Sequence, residues 1–302
     1  FNKTTFLLKG TNVYKAVTVK AKSENNQFVA EAVQVQNPLV YANQEVQVLS
    51  GSPRKVVDGT NTILYGTEQS ANGAIIVKYS NGQYTIYKTA VNTSTYELTA
   101  TTSTEASTAT SLTHLTGTDV VRLGTNGLVA QQVGTGTYRS NDGKYIEVTV
   151  AADGKITKTE LDAITLDNTK VQSINQLALT NDNVHIDGLT LYGKTTEAVA
   201  AEVTLTNGAK TMVTVDNSLT TATIQQASIS TLLGWNAYAK HSLQNATTPS
   251  KVVSIVDDNI YILGAGTETI TFTSANGLSR TVTVSVDDKM EATFTPSTEN
   301  EL

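Results

Sequence analysis

Short runs rich in β-branched and aromatic residues, most of them alternating apolar and polar, are broken by Asn-Gly or Asp-Gly pairs and constrain this chain more than any other feature. Residues 75–79 and 84–87 flank Ser80-Asn81-Gly82-Gln83, and 145–150 and 155–159 flank Asp153-Gly154. Residues 202–206 and 211–215 flank Asn207-Gly208, and 269–273 and 280–286 flank Asn276-Gly277. Period-two alternation around a tight turn predicts a β-hairpin. Asn-Gly suits the two left-handed positions of a type I′ turn, whose twist matches the flanking strands. Four such signals, with no strand–helix alternation between them, predict an all-β chain of antiparallel sandwiches rather than a parallel sheet.

Composition supports the same class. Charged residues make up 16% of the 302 positions, and about one residue in six is Thr. Thr is β-branched and keeps a hydroxyl for water, so it suits the outer face of a strand. The formal net charge is −6, and no basic run is longer than Arg54-Lys55. Nucleic acid needs a positive footprint, so it is not an expected partner. No stretch of eighteen apolar residues is present, so no membrane span is expected. Cysteine is absent, which excludes a disulfide scaffold and leaves burial to hold the core. A Thr/Asn-rich, acidic, cysteine-free β-chain fits a bacterial exterior. The opening Phe1-Asn2-Lys3-Thr4 has neither an initiator Met nor a signal-peptide pattern, and reads as a processed chain or an excised fragment.

Two segments depart from the hairpin pattern. Residues 99–113 are almost wholly Thr, Ser and Ala, and read as a linker, a glycan-carrying stretch or an exposed edge strand. In residues 220–243, Ile224, Ala227, Ile229, Leu232 and Leu233 are spaced for one or two helical turns ending at Gly234, which predicts a short helical insertion.

Catalytic motifs are missing. His114, His185 and His241 share no paired ligand spacing, no G-x-S-x-G elbow occurs, and the reading is a chain that is not an enzyme. Asp153 to Leu161 copies the second half of an EF-hand loop. The first and third ligand positions would be Thr149 and Ala151, so the loop is rejected. Calcium remains possible at module borders, where facing acidic loops pool oxygen ligands. Asp257-Asp258 and Asp287-Asp288 are the chosen candidates, and Asn181-Asp182-Asn183 with Asp187 is a further cluster. No cofactor is required. Trp235, the only tryptophan, and nearby Tyr238 are the candidate interface anchors, since aromatics dominate interface hot spots. Tyr79, Tyr84 and Tyr87 around the first hairpin read as cross-strand packing rather than a sugar platform.

Residues 252–286 resemble the closing half of the bacterial immunoglobulin-like group 2 module. Val252 to Val256 looks like its valine-rich strand, Asp257-Asp258-Asn259 its turn, Gly264-Ala265-Gly266-Thr267 its glycine signature, and Asn276-Gly277 its last hairpin. Val171 to Ile174 looks like its opening strand. The resemblance implies tandem antiparallel Ig-like β-sandwich modules with a short helical insertion. Expected boundaries are a module at 1–92, a second module or extension at 93–169, the Ig-like module at 170–287 and a linker at 288–302.

The texture of the whole chain looks most like the assembly region of a bacterial surface-layer (S-layer) protein. That resemblance implies a secreted structural protein of the cell surface that self-associates into a lattice and reaches a cell-wall polymer through regions outside this chain. A phage tail or capsid protein with an Ig-like domain, and an adhesin or carbohydrate-binding stalk, are the alternatives. The strand 281–286 carries no charge, so it must be central, covered by a neighbour or paired with another copy.

Overall fold

A computed structural model of the chain describes residues 3–179 and 183–298. The chain is all-β apart from one short helix among the described residues. It divides into two compact units, residues 1–160 and 161–302, each taken by itself below.

The first unit opens on a three-stranded meander of β1 (Lys3–Lys9), β2 (Tyr14–Glu24) and β3 (Gln27–Gln36). β4 (Leu39–Ala42), β5 (Glu45–Val48), β6 (Arg54–Asp58) and β7 (Asn61–Tyr65) follow, then β8 (Gly73–Lys78), β9 (Tyr84–Val91) and β10 (Leu98–Thr102). These seven form two sheets, β4-β7-β6 and β10-β9-β8-β5. Val46, Leu64, Ile75, Val77 and Leu98 make a core cluster shared by both. The rest of the unit adds β11 (Thr104–Glu105), β12 (Leu112–Gly117), β13 (Val121–Gly124) and β14 (Gly127–Ala130). β15 (Gly134–Ser140), β16 (Tyr145–Val150) and β17 (Ile156–Thr165) complete it, and β17 runs past the unit boundary. A second cluster collects Leu128, Ala130, Tyr138, Val148 and Val150 from these strands, with Ala74, Ile76 and Ile86 from β8 and β9.

β8 therefore serves two cores. Its side chains alternate, Ile75 and Val77 to one cluster and Ala74 and Ile76 to the other. A strand buried on both faces reads as a continuous apolar run, and Ala-Ile-Ile-Val is that run.

The second unit repeats the device. Its strands are β18 (Val171–Leu177), β19 (Val184–Asp187), β20 (Thr190–Gly193), β21 (Val199–Leu205), β22 (Lys210–Val215) and β23 (Ala222–Ile224). β24 (Gln226–Ser228), the helix α1 (Ile229–Leu233), β25 (Lys240–His241) and β26 (Val253–Val256) come next. β27 (Asn259–Ile262), β28 (Gly266–Thr273), β29 (Ser279–Val286) and β30 (Ala292–Pro296) end it. Sheet β18-β21-β22-β23 shares a cluster of Val171, Val199, Val203 and Val213 with Val184 of β19 and Leu191 of β20. Sheets β24-β27-β26 and β25-β28-β29-β30 share a second cluster of Ile260, Ile262, Ile270, Phe272, Val282 and Val284. On β22, Val213 and Val215 join the first cluster while Met212 joins the second; on β27, Tyr261 joins the first while Ile260 and Ile262 join the second.

All four expected hairpins form, with a different turn. At 79–83, 151–155, 205–209 and 274–278, and again at 140–144, the first N–H donates to the carbonyl four residues on. Only the glycine is left-handed, at φ between 77° and 85° for Gly82, Gly143, Gly154, Gly208 and Gly277. The preceding Asn or Asp does not turn left-handed, and in four of the five turns its side chain has another use. Asn81 accepts the Gln83 N–H, Asp142 that of Lys144, Asp153 that of Lys155 and Asn207 that of Ala209. The two-residue turn with both positions left-handed falls instead at Asn25-Asn26, between paired Glu24 and Gln27.

Other expectations change. The Thr/Ser-rich stretch holds an edge strand, β10, and then β11, with buried Ser103 between them donating to the Gly154 carbonyl. The 220–243 stretch does hold a helix ending at Gly234, but it also supplies β23, β24 and β25 to three sheets, so it is not an insertion. Residues 292–296, expected in a linker, form β30 against β29. That pairing makes the uncharged 281–286 run a central strand between β28 and β30. Asn181, Asp182 and the last four residues lie outside the described residues.

The turn geometry gives a clean test at Gly208, where φ is +85° and a Cβ would meet nothing within 4 Å. Gly208→Ala should destabilise the protein by about 1 kcal/mol through backbone strain alone. Chemical denaturation checks this, and an unchanged or raised midpoint would contradict it.

Candidate functional site

The residues singled out from the sequence lie in two turns and in the segment after α1. Ser228 precedes the helix in an extended conformation, and its hydroxyl accepts the Thr231 N–H. The Asp258 carboxylate accepts the Ser230 N–H at 3.0 Å and the hydroxyls of Ser228 and Ser230. Its backbone carbonyl accepts the Ile229 N–H at 2.8 Å. Three of the N–H groups that begin a helix without partners are thereby satisfied. Gly234 closes the other end at φ 67°, and the Arg280 guanidinium donates to the Leu233 carbonyl.

Beyond the helix, Trp235 and Tyr238 are half-buried and pack against the cluster of Ile229, Leu233 and Phe272. The Tyr238 ring meets Phe272 edge-on at 5.2 Å, and its hydroxyl donates to the Asp257 carbonyl at 3.1 Å. The fold thus brings Tyr238 to the Asp257-Asp258 turn. His241 lies beside both rings, and burial lowers its pKa. Asp287 and Asp288 stand apart in the β29–β30 turn, where the Asp287 carboxylate accepts the N–H groups of Lys289 and Glu291 at 2.9 Å each. Asp257, Asp287 and Asp288 are exposed. Among the described residues, no group of three acidic or histidine side chains is placed to hold a metal ion.

The tyrosines of the first hairpin divide between cores. Tyr79 and Tyr87 pack against one cluster with their hydroxyls bonded to each other, and burial pushes the Tyr87 phenol up to about 12. Tyr84 packs against the other cluster, with the Lys78 ammonium 5.8 Å from its ring centre.

Two clefts in the first unit were not foreseen. One, of about 650 Å³, is lined by Asn43, Gln44, Glu45, Gln47, Lys78 and Tyr84 among others. The second, of about 690 Å³, holds Asp58 between the Lys9 ammonium at 2.6 Å and the Tyr14 hydroxyl at 2.5 Å. Hydrogen bonds from Lys9 and Tyr14 hold the Asp58 carboxyl below its ordinary range, and Asp58 raises Lys9 in turn. No sequence motif links these three, because the contact depends on β1, β2 and β6 meeting.

No protein-family model matches the chain, and neither a curated protein nor a solved structure is similar to it.

Asp258 supplies the test of this region. Burial alone would raise its carboxyl, but the hydrogen bonds from Ser230 and Ser228 outweigh it and leave the pKa below the ordinary value. A folded-state pKa below the unfolded one contributes stability above the ordinary carboxylate range, and loses it as pH falls through the lowered value. Asp258→Asn should therefore cost about 1 kcal/mol at neutral pH and less in acid, below about pH 4. Thermal melts across pH read this, and a loss that is the same at every pH would contradict it.

Proposed function

We propose that the chain is a non-enzymatic structural protein of a bacterial cell surface, whose Ig-like modules associate side by side into an S-layer array. The observation that carries the reading is the repeated construction of the two units. Each fuses two cores across strands buried on both faces, which makes a stiff block of small antiparallel sheets. Stiff blocks suit a lattice, because each weak contact is repeated only where copies hold one shape. Hydroxyl pairs such as Thr135–Thr149 and Thr269–Thr283 face outward on neighbouring strands and keep those surfaces uncharged. No helix among the described residues is long and apolar enough to cross a membrane.

A second reading, a glycan-binding stalk, is favoured by the cleft of amide side chains, Glu45, Lys78 and Tyr84 in the first unit. Amides and an aromatic face are the groups that bind sugar hydroxyls and sugar rings.

Sedimentation and electron microscopy across a concentration series separate the two. The series is run with calcium and with chelator, because exposed Asp257, Asp287 and Asp288 offer hard oxygen ligands. The array reading expects oligomers or ordered sheets that grow with concentration. A chain that stays monomeric throughout, and is stabilised by an oligosaccharide, would contradict it in favour of the stalk.

A further inference from the structure

The β1–β3 meander has two unlike faces. In an antiparallel pair, residues directly opposite share a face. The register Phe6↔Val17↔Val35 and Thr4↔Val19↔Ala32, with Leu8 opposite Lys15, therefore sets Phe6, Leu8, Val17, Val19 and Val35 on one side. Phe6 is 52% exposed, Leu8 55% and Val35 61%. The other side is anchored within the first unit. Ala16 and Thr18 are wholly buried there, the Gln36 amide pairs with the Gly66 peptide, and Tyr14 bonds Asp58.

We infer that the Phe6–Val17–Val35 face is a homotypic interface, covered by the same face of a second copy of this chain. Two observations select that occupant. The first is charge. The meander's other lysines and its glutamates point to the opposite side by register, and Lys15, at one end, is the one charged residue that the pairing puts on this face. Its ammonium already donates to the side-chain amide oxygen of Asn37. A neutral apolar face selects a neutral apolar partner, and the face itself is such a surface. The second is size. Strands of seven, eleven and ten residues at ~4.8 Å spacing give a flat footprint of roughly 440 Å² per copy. Two such footprints bury roughly 900 Å² before side-chain relief is added, close to the ~1,000 Å² that a specific interface is expected to clear. A cluster of exposed apolar side chains on one sheet face marks an interaction site.

This inference rests on the self-association reading and gives it a location. The test compares the full chain with a Phe6→Asp, Val35→Asp double variant by sedimentation across concentration. Both side chains are more than half exposed, so the variant should keep the wild-type melting temperature. Its dissociation constant should rise at least about thirtyfold, as expected for loss of interface anchors. Because the chain has no cysteine, Val17→Cys and Val19→Cys give single thiols at the centre of the face. At least one should form a disulfide-linked dimer on oxidation, and this decides the matter should the double variant melt early.

Association of wild type and double variant with equal affinity, without cross-linking, would overturn this interface and leave the array reading standing. A wild type that is monomeric at every concentration would overturn both. A wild-type monomer that binds neutral phosphatidylcholine vesicles, with binding lost in the double variant, would make the face a lipid contact and overturn the inference.

Discussion

The fold depends on strands that bury both faces. β8 and β22 have five buried residues each, and their alternate side chains enter different cores. An ordinary antiparallel strand hides one face and wets the other. Here the second face is covered by another sheet, so two small clusters share one wall. Each fully buried Val, Leu or Ile contributes about 1.5–3 kcal/mol, and a cluster of five to ten of them is marginal alone against chain entropy. Fusion across a common strand lets clusters of this size cooperate without a disulfide or metal.

Sharing a wall creates a polar difficulty, since a chain that changes sheets leaves backbone groups without strand partners in a dry place. Side-chain amides and hydroxyls fill these gaps. Buried Gln36 gives its amide N–H to the Gly66 carbonyl and accepts the Gly66 N–H, imitating one rung of a ladder. A Cβ at Gly66 would lie 2.1 Å from the Tyr96 carbonyl oxygen, so the site requires glycine. In the second unit, Gln225 sits between β23 and β24 and bonds to both β22 and β30. Its carbonyl accepts the Thr211 hydroxyl, its amide N–H goes to Thr214, and its amide oxygen accepts the Ala292 N–H. Buried Tyr138 works alike, donating to Asp119 and accepting the N–H groups of Val120 and Val121, and burial pushes its phenol up to about 12. Leaving any such buried group unpaired costs about 1–3 kcal/mol.

What was legible in the sequence follows from locality. Hairpins at Gly82, Gly154, Gly208 and Gly277 and the helix stop at Gly234 are encoded within five residues, and all are present. The turn type was misjudged because an Asn or Asp side chain that takes the N–H two residues on removes the need for a second left-handed residue. The role of 220–243 was misjudged because three-residue strands such as β23 and β24 carry no periodicity of their own. The Asp258 cap, the Gln225 knot and the Lys9–Tyr14–Asp58 contact join residues 30 to 81 positions apart at their widest, and only the completed fold brings them together. The double burial of β8 was visible as Ala-Ile-Ile-Val, whereas Thr-Met-Val-Thr-Val in β22 concealed it by placing threonines in a dry wall.

If shared strands make each unit one cooperative body, damage to one core must be felt in the other. Native-state hydrogen exchange on Val203→Ala is the most direct measurement. Val203 is wholly buried in the first cluster of the second unit, and its truncation costs about 2 kcal/mol. The account predicts that the amides of Ile270, Val282 and Val284, which line the other cluster, lose protection by the same roughly thirtyfold factor as those of β21. Loss confined to β18 and β21, with β28 and β29 exchanging as in the wild type, would contradict it.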